Sequence, residues 1–116
     1  GRDEFMRLLH EVWNNLERHT YEIDIGLSFI SALPIDEIKR YLQKRVAQLE
    51  GSMQYLEDHQ TEELSDEHVP TRLVSAVFDH SRLHFKAELD WTRTLLQDFE
   101  QGFFDDEIKW MRKLFE

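Results

Sequence analysis

The chain has 116 residues, enough for one domain, and carries 14 Lys and Arg against 24 Asp and Glu, a formal charge of −10. That charge argues against nucleic-acid binding by this chain alone, because affinity for phosphate backbones comes largely from basic side chains that displace counterions. The absence of cysteine excludes disulfides and cysteine zinc sites and favours a cytoplasmic setting, and no apolar run approaches the ~20 residues of a transmembrane helix.

The first predicted helix runs from Arg2 to about Arg18. Apolar residues recur there on one helical face, and Asp3 and Glu4 suit the positive end of the helix dipole. The face consists of Phe5, Leu8, Leu9, Val12 and Leu16, and Trp13 widens it. An amphipathic helix of this kind needs a surface that covers its apolar side.

A second, short helix is predicted over residues 23–32. From Tyr21 to Phe29, apolar and polar residues alternate as they do in a strand. Leu27 and Ile30, however, also lie at helical steps from Ile23. We expect the helix, because no other segment of the chain offers a second strand to complete a sheet.

The first long helix is predicted to begin at Pro34 or Ile35, since the residue before a proline avoids the helical region. Its apolar face follows steps of three and four residues: Ile35, Ile38, Leu42, Val46, Leu49, Met53 and Leu56. Gly51 lies inside this helix, where glycine costs about 1 kcal/mol relative to alanine. Close approach of a neighbouring helix would explain a small residue there. The acidic stretch 58–69 is predicted to be the loop of an antiparallel hairpin.

The second long helix is predicted from Pro70, which suits a first helical turn, to Gly102, which can adopt the left-handed conformation that ends a helix. Its residues recur at the spacing of a coiled-coil seam: Val74, Phe78, Ser81, Phe85, Leu89, Thr92, Leu96 and Phe99. A second stripe lies beside the seam: Leu73, Val77, His84, Trp91 and Leu95.

The length of this second helix predicts a partner chain. At 1.5 Å per residue it would extend about 45–50 Å, whereas a compact globule of this size has a radius of gyration of only about 13 Å. A helix that outruns its own domain and is apolar along its length needs a second chain. We therefore expect a homodimer with Phe78, Phe85, Leu89, Trp91, Leu96 and Phe99 in its interface.

A last helix is predicted after Gly102, with Asp105 as its N-cap. Phe104, Ile108, Met111 and Phe115 form one face, broadened by Phe103, Trp110 and Leu114. The predicted fold is therefore all-α: a long antiparallel helical hairpin, coiled-coil-like, with shorter N-terminal and C-terminal helices, in an intertwined dimer.

A metal site is the weakest chemical candidate in the chain. His80, His84 and Glu88 recur every four residues on one helical face and could bind a divalent cation. Such a site needs ligands from a second element, and nothing ties His10, His19, His59 or His68 to it. The more ordinary interpretation is a helix flank that meets solvent or a partner, so no metal or cofactor is expected.

The sequence argues against an enzyme but leaves a ligand pocket open. The chain has no cysteine nucleophile, no Gly-x-Ser-x-Gly elbow and no glycine-rich phosphate loop, so an enzyme is not expected. Trp13 and Trp91 could line a pocket for a small aromatic ligand by offering flat stacking surfaces. The simpler interpretation places the tryptophans in the core or at a subunit boundary, with Trp91 the most buried.

Roughly residues 1–101 resemble PadR-like transcriptional regulators. After Gly1-Arg2, the Phe5-x-x-Leu8-Leu9 segment resembles the stretch that follows the wing of that family. Residues 24–33 resemble its short helix, and residues 38–49 its first long helix. The most specific likeness is Ala87-Glu88-Leu89-Asp90-Trp91, which is similar to the family's Ala-Glu-Leu-x-Trp signature on the last long helix.

The resemblance implies that residues 1–116 form a C-terminal dimerisation and effector domain of the virulence-activator alpha type. Its N-terminal winged helix would be missing, which agrees with a chain that starts at Gly1 rather than methionine. DNA would then be contacted only through the missing domain, in a regulator expected to be a repressor. Family members control detoxification, multidrug-transport or virulence genes, and some bind small aromatic compounds.

Three alternatives remain open from the residues alone. The chain could be the ligand-binding domain of a TetR-type regulator. It could be a free-standing helical metal-binding protein that uses His80, His84 and Glu88. It could also be a helical adaptor without any DNA-binding partner domain.

Overall fold

The computed structural model describes residues 1–14 and 22–114, and the regular elements within them are all helical. They are α1 (Arg2–Asn14), α2 (Glu22–Ser28), a 3₁₀ turn (Ile30–Ala32), α3 (Ile35–Leu64), α4 (Thr71–Glu100) and α5 (Asp105–Lys113). The all-α prediction is confirmed. The predictions that concern Leu16, Arg18, Tyr21 and Phe115 lie outside the described residues.

Helices α3 and α4 form the predicted antiparallel hairpin, each 30 residues long. The α4 seam is confirmed, because every seam residue is buried or half-buried between the two helices. The predicted apolar face of α3 points inward in the same way. The α4 seam and the apolar face of α3 therefore cover each other within one chain.

The prediction of a loop over residues 58–69 is wrong for its first half, because α3 continues to Leu64. Glutamate and glutamine favour helices, and neither glycine nor proline interrupts this stretch. Side chains also support the last turns, with Gln54 donating to Asp58 at 2.9 Å and Thr61 donating to the Glu57 carbonyl at 3.1 Å. The acidic composition marks exposure to solvent rather than a break in the helix.

Both long helices begin, and α4 ends, close to the predicted residues. Pro34 and Pro70 stand just before α3 and α4, and their carbonyls accept hydrogen bonds from Ile38 and Val74. Gly102 has a φ of 76°, which is the left-handed conformation expected of a glycine after a helix. The N-cap prediction for Asp105 is wrong, because α5 begins at Asp105 itself and the preceding Phe104 makes no side-chain cap.

The hydrophobic core lies at the base of the hairpin, where α3 begins and α4 ends. Ile38 and Leu42 from α3, Phe99 from α4 and Ile108 from α5 are its buried members. Helix α5 is attached to the 3₁₀ turn by Arg112, which donates to the carbonyls of Ser31 and Leu33 at 3.0 and 2.6 Å. Helices α3, α4 and α5 therefore surround a small core at the base of the hairpin.

Beyond the base the molecule is a ribbon of two helices. Its radius of gyration is 19.8 Å and its extents are 59 × 34 × 18 Å, far from the ~13 Å of a compact domain. No side chain from residue 43 to residue 88 is buried. Helix α1 also has no buried residue, so its apolar face is exposed.

Candidate dimer interface

One side of the hairpin carries most of its exposed aromatic and apolar side chains. We call it the groove face. On α3 it comprises Tyr41, Lys44, Gln48, Gly51, Ser52, Tyr55 and His59, and on α4 Leu73, Val77, His80, Ser81, His84, Glu88 and Trp91. At about 100° per residue, each set lies within one flank of its helix.

Contacts between the helices place these two flanks on the same side. Arg45 donates to Glu88 at 2.8 Å and to the Thr92 hydroxyl at 3.3 Å. The Thr92 hydroxyl in turn donates to the Glu88 carbonyl at 2.7 Å. This polar cluster bridges α3 and α4 along the groove face.

The opposite side of the hairpin is charged. Arg93 donates to Glu50 across the helices at 3.0 Å, with both side chains 52% exposed. On α4 itself, Lys86 pairs with Asp90 at 3.0 Å and Arg82 lies 3.5 Å from Asp79. These exposed pairs are typical of a solvated face.

An open groove of about 600 Å³ runs along the centre of the groove face. It is lined by Gln48, Gly51, Ser52, Tyr55, Leu56, Ser81 and Phe85. Small residues from both helices produce the depression. The expectation that a neighbouring helix crowds Gly51 is wrong within the chain, since an added Cβ there would meet no atom within 4 Å.

Aromatic rings line the tip side of the groove. The Tyr55 and His59 rings stack with centroids 5.8 Å apart, and His59 lies 6.0 Å from the Phe78 ring. At the base side, the Tyr41 hydroxyl donates to Glu37 at 2.7 Å. That hydrogen bond and the negative charge of Glu37 raise the pKa of the Tyr41 phenol.

The groove face is poor in charge although the chain is strongly acidic. Among its residues Glu88 is the one carboxylate, and Arg45 neutralises it. The nearest further carboxylates on this flank of α3, Glu37 and Glu62, mark its two ends. Most of the net charge of −10 therefore lies elsewhere on the molecule.

The predicted interface residues divide into three groups in the structure. Leu89 and Phe99 are buried within the single chain, at 5% and 2% exposure, and leave almost no surface for a partner. Phe78, Phe85 and Leu96 are half-buried in the hairpin seam. Trp91 is 38% exposed, which makes it the least exposed of the three tryptophans, as expected, although the single chain does not bury it.

Sequence reasoning found the α4 half of the groove face and missed the α3 half. Val77, His84 and Trp91 belong to the second stripe described above. On α3, Tyr41, Gln48 and Tyr55 are spaced by seven residues in the same way. The heptad spacing was the available signal, but the mixed polarity of these residues hid it.

The tryptophans do not lie together around the groove. Trp13 is 84% exposed and Trp110 62%, and no tryptophan lines the groove. A second, apolar cleft of about 130 Å³ lies at the base, lined by Leu27, Ile30, Leu95, Phe99, Phe104, Glu107, Ile108 and Met111. An aromatic-ligand pocket at Trp13 and Trp91 therefore stays a prediction.

The metal candidate gains no support from the geometry. In the described part of the chain, no three His, Asp or Glu residues are arranged to hold a metal ion. His80 and His84 lie on the exposed flank of α4, while Glu88 is paired with Arg45.

Within residues 1–14 and 22–114, no helix combines the length and apolar character needed to cross a membrane. Comparison of the chain with family models, characterised proteins and solved structures finds no match.

Proposed function

We propose that this chain is the dimerisation and effector domain of a PadR-like transcriptional regulator, a repressor whose winged helix lies in a preceding segment. In such a protein the paired hairpins hold two DNA-binding modules at a fixed separation. Operators require this, because half-sites recur at about 34–36 Å, one turn of the double helix. A helix of about 45 Å, from 30 residues at 1.5 Å each, has the length for that task.

One observation supports dimerisation above the others. From residue 43 to residue 88 no side chain is buried, although both helices present apolar residues inward there. Two helices alone cannot surround a side chain, whereas four helices can. The acidic surface also fits a domain that leaves DNA contact to another part of the protein.

Sedimentation equilibrium tests the dimer directly. We expect a mass twice the 14.1 kDa of one chain at micromolar concentration, falling to one chain on dilution. A mass of one chain throughout, with the helical circular dichroism retained, would overturn the proposal.

A second experiment tests the regulatory role. The gene segment that encodes the residues before Gly1 should specify a basic winged helix, and the full protein should bind operator DNA as a dimer. Removal of residues 1–116 should lower operator affinity by at least 10-fold, because each module would bind alone. A gene without any DNA-binding segment would favour the helical adaptor.

The effector part of the proposal concerns Trp13 and Trp91. A planar aromatic compound that stacks on either ring should quench its fluorescence. Titration of Trp13→Phe and Trp91→Phe proteins with a planar cationic dye assigns the quenching to one ring. Equal quenching in both variants and the parent would point to Trp110 or to non-specific binding.

A further inference from the structure

We propose that the groove face is the surface through which two copies of this chain pair, hairpin against hairpin. The proposal rests on the proposed function, because it names the surface that the dimerisation uses. It also moves the contact away from the seam, where Leu89 and Phe99 are already covered by their own chain.

The first argument is the apolar surface that this side leaves exposed. Leu73 and Val77 are 71% and 67% exposed on α4, and Tyr55 is 70% exposed on α3. Together with Trp91 they lie on the same face as the groove, and Tyr55 lines it. Aromatic and apolar side chains around a depression are typical of the centre of an interface.

The second argument is electrostatic and favours a second copy over an unrelated partner. Two chains of charge −10 repel each other wherever carboxylates meet. The groove face is the side of the hairpin where Glu88 alone is acidic and is already paired. A basic partner would instead select the carboxylate-rich surface, so the charge-poor side suits an equally acidic molecule.

The third argument is area. From Tyr41 to His59 the face is about 28 Å long, and two helices of about 10 Å each make it about 20 Å wide. The flat projection is therefore about 550 Å², and protruding side chains such as Tyr55 and Val77 add to it. Stable dimers bury about 800 Å² per partner, which is within reach of this surface.

The groove and its rim also make the face self-complementary. A two-fold axis lets the ridge formed by Val77 and its neighbours on one copy enter the groove of the other, and the reverse. Gly51 then has a role, because a residue without a side chain helps to keep the groove open for side chains of the partner.

A matched pair of charge substitutions tests the face. Val77→Glu places a carboxylate on the groove face, whereas Leu83→Glu places one on α4 about 120° away, at a residue 56% exposed. Both sites are exposed, so the single chain should keep its helical circular dichroism. We expect Val77→Glu to weaken the dimer on the order of 100-fold, because both copies would bury an unpaired charge, and Leu83→Glu to change it less than about threefold.

A second pair tests the groove itself. Gly51→Trp should fill the groove and weaken dimerisation at least 10-fold, while Gly51→Ala should leave the dimer intact. Because the chain has no cysteine, Val77→Cys and Leu83→Cys also give unique reporters. The thiol at position 77 should react with a maleimide more slowly as protein concentration rises, and the thiol at position 83 should not.

The outcomes separate the two proposals. A wild-type protein that is monomeric at all concentrations overturns the proposed function. A wild-type dimer that survives Val77→Glu and Gly51→Trp, and in which position 77 is not protected, overturns the groove face alone. Loss of the dimer in Leu83→Glu instead would place the contact on the opposite side of α4.

Discussion

The base and the tip of the hairpin are built from the same two helices, yet they differ in how their side chains are covered. At the base, α5 closes the third side over Ile38, Leu42 and Phe99. Towards the tip, Phe78 and Phe85 lie in the same seam and remain half-buried. Seam residues become a core only where a third element covers them, and the tip has none within the described chain.

The largest expected effect on stability distinguishes two phenylalanines of the α4 seam. Phe99→Ala should lower the free energy of unfolding by about 3–5 kcal/mol, because it empties a site that is 2% exposed. Phe78→Ala, at the tip, should cost about 1–2 kcal/mol, because a half-buried ring loses less apolar contact. Urea unfolding at low protein concentration measures both.

The same two variants also report on a second copy of the chain when the protein concentration is raised. If a second copy covers the tip, the cost of Phe78→Ala should grow with protein concentration while that of Phe99→Ala should not. Equal costs for the two variants at every concentration would show that base and tip are equally well packed.

Two glycines provide the next test, because alanine should act in opposite directions at base and tip. Gly102→Ala should destabilise by about 1–2 kcal/mol, since the residue has a φ of 76° and its new Cβ would meet Asp105 at 3.0 Å. Gly51→Ala should stabilise by about 1 kcal/mol, because it lies mid-helix with open space around it. Thermal unfolding followed by circular dichroism measures both changes, and a loss of stability in Gly51→Ala would reveal crowding at that site.

Two ion pairs where base and tip meet give a smaller effect. Arg45–Glu88 is 32% and 24% exposed, whereas Glu50–Arg93 is 52% exposed at both ends. A double-mutant cycle with Arg45→Met and Glu88→Gln should give a coupling energy of about 1 kcal/mol. A cycle with Glu50→Gln and Arg93→Met at the exposed pair should give less than about 0.5 kcal/mol. Equal couplings would show that partial burial does not strengthen the Arg45–Glu88 pair.

The difference between base and tip also shows what helical spacing can predict. The period of the α4 seam identified its inward residues correctly from Val74 to Phe99, because helical spacing fixes which residues share a face. The period does not reveal which chain covers that face. Leu89 and Phe99 are predicted to face a partner, yet both are buried within the single chain. The interface assignment of Phe78, Phe85, Trp91 and Leu96 stays a prediction.

The predictions that fail in other parts of the chain fail for similar physical reasons. Residues 58–64 were assigned to a loop because they are polar, but polarity reports exposure and not backbone conformation. Asp105 has a good capping side chain, yet the turn at Gly102 starts α5 one residue earlier than a cap would allow. The groove depends on small residues from two helices, and only the pairing of the helices brings Gly51 and Ser81 together.

The smallest effect concerns Tyr41, on the groove face near the base. Its hydrogen bond to Glu37 raises the pKa of the phenol above the ordinary 10.0. A raised pKa in the folded state stabilises the protonated phenol, so this contribution to stability is complete below pH 10 and is lost as the pH rises through the higher folded pKa. In a protein carrying Tyr21→Phe and Tyr55→Phe, absorbance at alkaline pH should report Tyr41 alone. Glu37→Gln should move the midpoint of the Tyr41 titration down towards 10. An unchanged midpoint would mean that the hydrogen bond between Tyr41 and Glu37 does not persist in solution. The base end of the groove face would then lack a fixed boundary.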